Sequence, residues 1–116
     1  MLIDVKTRVE NIDCDLRCIT ASLAAKEMKQ NHGLLVDVRE PGEVEGQPVE
    51  AALNIPRGVL EMKIIEKVTD PHHPIYLHCA SGMRAKLAAE QLVKMGYENV
   101  TVITCPIPQI NQANEE

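Results

Sequence analysis

The stretch Ile75-Tyr76-Leu77-His78-Cys79-Ala80-Ser81-Gly82-Met83-Arg84 constrains the fold more than any other part of this 116-residue chain. A short apolar run ends on a cysteine, a small glycine-containing loop follows, and an Ala/Leu-rich helical pattern starts at Ala85. A strand that delivers a cysteine to the mouth of a helix builds an anion site around a thiol. The loop's N–H groups and the unpaired N–H groups of the first helical turn point at one spot. That field favours thiolate over thiol and makes Cys79 a nucleophile. Arg84 closes the loop with a permanent positive charge. A buried structural cysteine at a strand end is the plainer reading of the local pattern.

The rest of the chain alternates in the same way. Residues 34–38, Leu34-Leu35-Val36-Asp37-Val38, are nearly continuously apolar, as suits a strand buried on both faces of a parallel sheet. Arg17-Cys18-Ile19 reads as a short edge strand. Ala52-Leu53-Asn54-Ile55 reads as a brief strand stopped by Pro56, and Val100-Thr101-Val102-Ile103 as the last strand. Thr20 can cap a helix through residues 21–28, ended by His32-Gly33. Residues 59–65 and 85–95 have helical spacing, the second stopped by Gly96. Pro41-Gly42, residues 46–50 and residues 70–74 read as breaks, loop and turn. Strands alternating with helices imply an α/β fold with a parallel sheet, and such folds bind ligands at the carboxyl ends of their strands. One domain over 1–116 is expected, with its core at about 19–103 and a poorly ordered lead-in over 1–15.

Phe and Trp are absent, so the core must be aliphatic, with Met filling gaps. The formal charge of −5 argues against nucleic-acid binding and against docking on acidic membranes. No apolar run approaches the roughly 20 residues needed to cross a bilayer. Met1-Leu2-Ile3-Asp4-Val5-Lys6 lacks the basic start and apolar stretch of a signal peptide, so a cytoplasmic address is expected. Cys14, Cys18, Cys79 and Cys105 form no zinc pattern, and His72-His73 are adjacent rather than spaced as ligands. No metal and no cofactor are expected, and Cys14 and Cys18 read as bystanders.

Three motifs stand in order. Leu35-Val36-Asp37-Val38-Arg39-Glu40-Pro41 precedes Asn54-Ile55-Pro56-Arg57-Gly58-Val59-Leu60-Glu61, and the Cys79–Arg84 loop follows with Gly96-Tyr97-Glu98-Asn99-Val100 beyond it. Together they resemble a single-domain rhodanese over roughly residues 19–103. The resemblance implies a rhodanese-like parallel sheet of about five strands flanked by helices. It implies a sulfurtransferase with Cys79 as sulfur carrier, and the backbone N–H groups of Ala80, Ser81, Gly82, Met83 and Arg84 holding the persulfide. Donors would be small sulfur anions, thiosulfate or polysulfide; acceptors would be a thiol, cyanide or a protein. Arg39 and Arg57 each follow an expected strand, so both can reach the same sheet edge as Cys79. Three cations around a thiolate suit a dianionic donor. The competing role for Arg39 is a structural bond to Asp37, Glu40 or Glu43, and Asp37 itself reads as structural.

The sequence departs from the family in places. The approach to Asn54-Ile55-Pro56 is one residue longer than usual, and Ala85 stands where a serine often follows the arginine. The usual glycine pair and tryptophan-bearing last helix are missing after Ile103. Pro106 and Pro108 forbid an ordinary helix there, so a truncated or irregular C-terminus is expected over 104–116. The sheet's cover would come from that tail or from a partner subunit in a homodimer.

A phosphatase or arsenate reductase is the rival enzyme, because His78-Cys79 and the closing Arg84 resemble tyrosine-phosphatase signatures. Those separate cysteine from arginine by five residues; here four intervene, Ala80 to Met83. A phosphate has three outer oxygens to wrap, whereas one terminal sulfur needs a smaller ring of donors, so the shorter loop favours sulfur. His78 then reads as a strand-end residue bonded to backbone. A non-enzymatic relay or regulatory module is the third reading, weakened by the presence of both Cys79 and Arg84.

Overall fold

The structure, a computed structural model, describes residues 1–115. Its strands are β1 (Arg17–Ile19), β2 (Leu34–Asp37), β3 (Leu53–Asn54), β4 (Ile75–His78) and β5 (Val100–Ile103). They form one five-stranded sheet in the order β1-β5-β4-β2-β3, and every pair is parallel. The α/β expectation holds, and β4 is central. Leu34 to Asp37 pair with Ile75 to His78 on one side, and Ile75 to Leu77 pair with Val100 to Val102 on the other. All four residues of β4 are buried, as the continuous apolar run requires of a strand covered on both faces.

Six helices flank the sheet: α1 (Val5–Glu10), α2 (Ala21–Asn31), α3 (Pro41–Gly46), α4 (Leu60–Lys67), α5 (Met83–Met95) and α6 (Ile107–Glu115). Alternate strand residues feed two cores. Val36, Ile75, Leu77 and Val102 pack with Leu60 and Ile64 of α4 and with Ala85, Ala88, Ala89 and Leu92 of α5. Leu35, Tyr76 and Ile103 pack with Ala21, Ala24 and Ala25 of α2 and with Ile107, Ile110 and Ala113 of α6. Each fully buried Leu or Ile contributes about 1.5–3 kcal/mol. Alanine on the helix faces lets backbone approach the sheet closely, which suits a chain without Phe or Trp. The two tyrosines satisfy their hydroxyls. Tyr76 donates to Glu27 at 2.7 Å and accepts from Asn31 at 2.9 Å, and Tyr97 donates to the Val68 carbonyl at 2.6 Å.

Thr20 caps α2 through the Leu23 amide, as expected, and His32 rather than Gly33 takes the left-handed position at its end. Three helices differ from the sequence expectation. The lead-in contains α1, which Asp4 caps by accepting from the Thr7 amide at 2.8 Å. Arg8 ties α1 to Glu90 of α5 at 2.6 Å. No residue of α1 is buried, so no apolar stripe announced it. The expected break at Pro41-Gly42 is the start of α3. Proline is at home in a first helical turn, and a Glu40/Glu43 capping box satisfies the amides around it. The expected irregular tail is instead α6. Pro106 precedes it and Pro108 is its second residue, so neither proline removes a bond that an α-helix makes. Cover that a partner subunit was invoked to supply comes from Ile107, Ile110 and Ala113 of this chain.

Candidate active site

Cys79 follows the last residue of the central strand. Gly82, at φ 91°, turns the chain into α5 in a left-handed conformation that glycine adopts without a Cβ clash. The turn folds the loop over the sulfur. The Gly82 N–H donates to Cys79 Sγ at 3.1 Å and the Ala85 N–H at 3.4 Å. Among the described residues these are the two amides that reach Sγ. Gly82 belongs to the set expected to hold the outer sulfur of a persulfide; on Sγ itself the amides of Ala80, Ser81, Met83 and Arg84 make no bond. Ala85 was missed as a donor. It is the third residue of α5, and its amide is one of the orphan N–H groups of a first helical turn. Cys79 is 1% exposed.

The three arginines are not open cations. Arg84 makes two parallel bonds to Glu43 of α3, at 2.6 and 2.9 Å. The Arg84 bond, followed by the Glu40 amide, pushes the Glu43 carboxyl down to about 2. Arg84 is in turn held above the ordinary guanidinium range, chiefly by its bond to Glu43, with the charges of Cys79 and Glu40 adding to it. Arg57 lies in a single 3₁₀ turn after β3 and donates to Glu61, one turn on, at 2.8 Å. Arg39 is buried, 2% exposed, with Nη2 donating to Asp37 at 2.7 Å and to the Gln47 carbonyl at 2.8 Å. The pocket role expected of Arg39 is thus corrected. Its guanidinium fastens the end of β2 to the chain leaving α3, and Asp37 is the structural partner the sequence suggested.

His78 departs from expectation in another way. It is fully buried, and neither ring nitrogen has a hydrogen-bond partner. Nε2 lies 3.8 Å from Asp37, beyond bonding distance. Burial pushes the imidazole down to about 4, opposed by the Asp37 charge and reinforced by Arg39. The ring is therefore neutral in the working pH range.

The remaining sulfurs stand apart. Cys105 accepts from the Ala21 amide at 3.2 Å and packs in the core under α2 and α6, away from the face that holds Cys79. All four cysteines are free thiols. Among the described residues no group of three or more His, Cys, Asp or Glu side chains could hold a metal ion, and no helix is long and apolar enough to cross a membrane.

A profile of the Rhodanese-like domain matches residues 20–112. The uncharacterized protein YqhL of Bacillus subtilis is 44% identical over 62 residues, covering 53% of this chain and 48% of that one. The mitochondrial thiosulfate sulfurtransferase RDL2 of Saccharomyces cerevisiae is 40% identical over 81 residues, covering 60% and 54%. The chain spans 48–62% of the length of the curated relatives it matches. Among solved structures, a protein of unknown function from Rhodopseudomonas palustris, named there as a "possible tyrosine phosphatase", superposes with a TM-score of 0.78. That match covers 97% of this chain and 92% of the other, and at 22% identity it shows the fold alone.

Proposed function

This chain belongs to the rhodanese-like domain family, and on that premise we propose that it is a sulfurtransferase carrying sulfane sulfur as a persulfide on Cys79. The observation that supports the reading best is the convergence of the Gly82 and Ala85 amides on the Cys79 sulfur. Donors aimed at one point stabilise charge there without reorganising. The name of the yeast relative, a thiosulfate sulfurtransferase, agrees with the reaction class.

Two displacements suffice. The Cys79 thiolate attacks the outer sulfur of a donor such as thiosulfate or polysulfide. The new Sγ–S bond forms as the donor's S–S bond breaks, and the leaving group (sulfite, from thiosulfate) departs with the bonding pair. A thiol, cyanide or protein acceptor then attacks the outer sulfur, and the Cys79 thiolate leaves. Each step exchanges one nucleophile for another, so no cofactor and no external oxidant is required. The first amide ring of α5 serves both forms, holding negative charge on Sγ before transfer and near the terminal sulfur after it.

Intact mass before and after exposure to thiosulfate and to polysulfide tests the reading. The expected result is a gain of one sulfur atom, located on Cys79 and removed by cyanide. No gain with either donor would retire it.

A further inference from the structure

Each arginine that the sequence places at the carboxyl edge of the sheet already has a carboxylate partner. Arg39 is buried against Asp37, Arg84 is clasped by Glu43, and Arg57 is held by Glu61. Glu40 also acts on Arg84 through its charge. Two part-exposed guanidinium groups, of which Arg84 feels the charge of Cys79, thus stand against three carboxylates, Glu40, Glu43 and Glu61. A dianion entering here must displace Glu43 from a two-bond pair and then lie beside the displaced carboxylate.

We propose that Glu43 and Glu61 set donor specificity: by neutralising Arg84 and Arg57 they turn the Cys79 site toward sulfane sulfur carried on an organic persulfide and away from dianionic thiosulfate. This rests on the sulfurtransferase reading above. The Cys79 thiolate attacks the outer sulfur of R–S–SH. The Sγ–S bond forms as the donor's S–S bond breaks, and R–S⁻ leaves with the bonding pair. The proton travels on the transferred sulfur and is lost to water once that sulfur ionises. One sulfane sulfur changes hands, and nothing else is oxidised or reduced.

Two probes present the same transferable sulfur with different charge: methanethiosulfonate carries one negative charge and thiosulfate two. kcat/KM for each is measured on the full chain, on Glu43→Gln, on Glu61→Gln and on the double variant. Glutamine at position 43 keeps an oxygen for the Glu40 amide, so the α3 cap is retained. Glu43→Asp, which keeps the charge, is the control. An electrostatic effect scales with donor charge, so the double variant should gain roughly tenfold with thiosulfate against roughly threefold with methanethiosulfonate. Both gains should shrink at high salt, and Glu43→Asp should keep the wild-type ratio. An unchanged ratio between donors overturns the proposal. So does a loss of thiosulfate use in Glu43→Gln, which would make Glu43 a support for Arg84 rather than a barrier to charge. Sulfur uptake on Cys79 with an unchanged ratio removes this donor assignment alone. No uptake from either probe or from polysulfide removes the sulfurtransferase reading, and the assignment with it.

Discussion

Cys79 is the thiol that two amides face, whereas Cys105 receives one and Cys18 is exposed. Cys79→Ser is therefore expected to abolish persulfide formation by mass, because a serine hydroxyl supplies no comparable anion at neutral pH. Single serine substitutions at Cys14, Cys18 and Cys105 should leave most of it. Loss in Cys105→Ser with retention in Cys79→Ser would identify a different carrier. His78 gives a second residue-scale expectation. Its folded value, about 4, lies below the ordinary imidazole value of 6.5. Between these values the unfolded chain takes up a proton that the folded chain does not. Stability is therefore lost as pH falls from about 6.5 toward about 4, and above 6.5 the group contributes no slope. His78→Phe, which fills similar volume without the two unpartnered nitrogens, should flatten that part of a urea-midpoint-against-pH curve and leave neutral stability equal or higher. An unchanged acid slope would assign the effect to other groups. The sequence exposed Cys79, Gly82 and Arg84 because a strand–loop–helix junction is local. It hid the partners of the arginines, since Glu43 and Arg84 lie 41 positions apart and meet only once α3 is placed.

Helices carry the features that local patterns described least well. α2 was legible from cap, apolar stripe and stop signal together, α5 from its apolar stripe and the Gly96 stop, and the buried strands from their unbroken apolar character. α1 has no buried face and α3 opens on proline, so each depends on caps and ion pairs that a hydrophobic period does not record. α6 shows the complementary error. Its prolines look like breakers but occupy positions whose amides need no helical partner. Ile110 of α6 is fully buried, and Ile110→Ala is expected to cost about 2–5 kcal/mol in urea unfolding. A negligible loss would mean that α6 adds little to the core beneath it. At the head of α5, an alanine Cβ at Gly82 would meet only Thr104, at 3.8 Å. Space is thus available and the backbone angle decides. Gly82→Ala should cost about 1–2 kcal/mol and slow sulfur uptake, because its own amide is one of the two on Sγ. Wild-type uptake in that variant would show that the left-handed turn is dispensable.

For the molecule as a whole, the central strand and the head of α5 are joined by a loop whose cysteine and closing arginine, Cys79 and Arg84, span six positions. Negligible hydrolysis of p-nitrophenyl phosphate is expected beside measurable sulfur transfer, since Arg84 follows Cys79 one position sooner than the arginine of a phosphate-wrapping loop. A glycine inserted between Ser81 and Gly82 should lower sulfur transfer. Ready ester hydrolysis by the unmodified chain, with no persulfide, would install the phosphatase reading instead. The same closure leaves Cys79 only 1% exposed, and this has a consequence for regiochemistry. A transferred sulfur would stand about 2 Å beyond Sγ, so the loaded chain offers its outer atom while the inner one stays covered. The resting thiol should then alkylate slowly with iodoacetamide and the loaded form quickly. An acceptor would then be steered past the inner sulfur, where attack would release hydrosulfide and strand the carrier as a mixed disulfide.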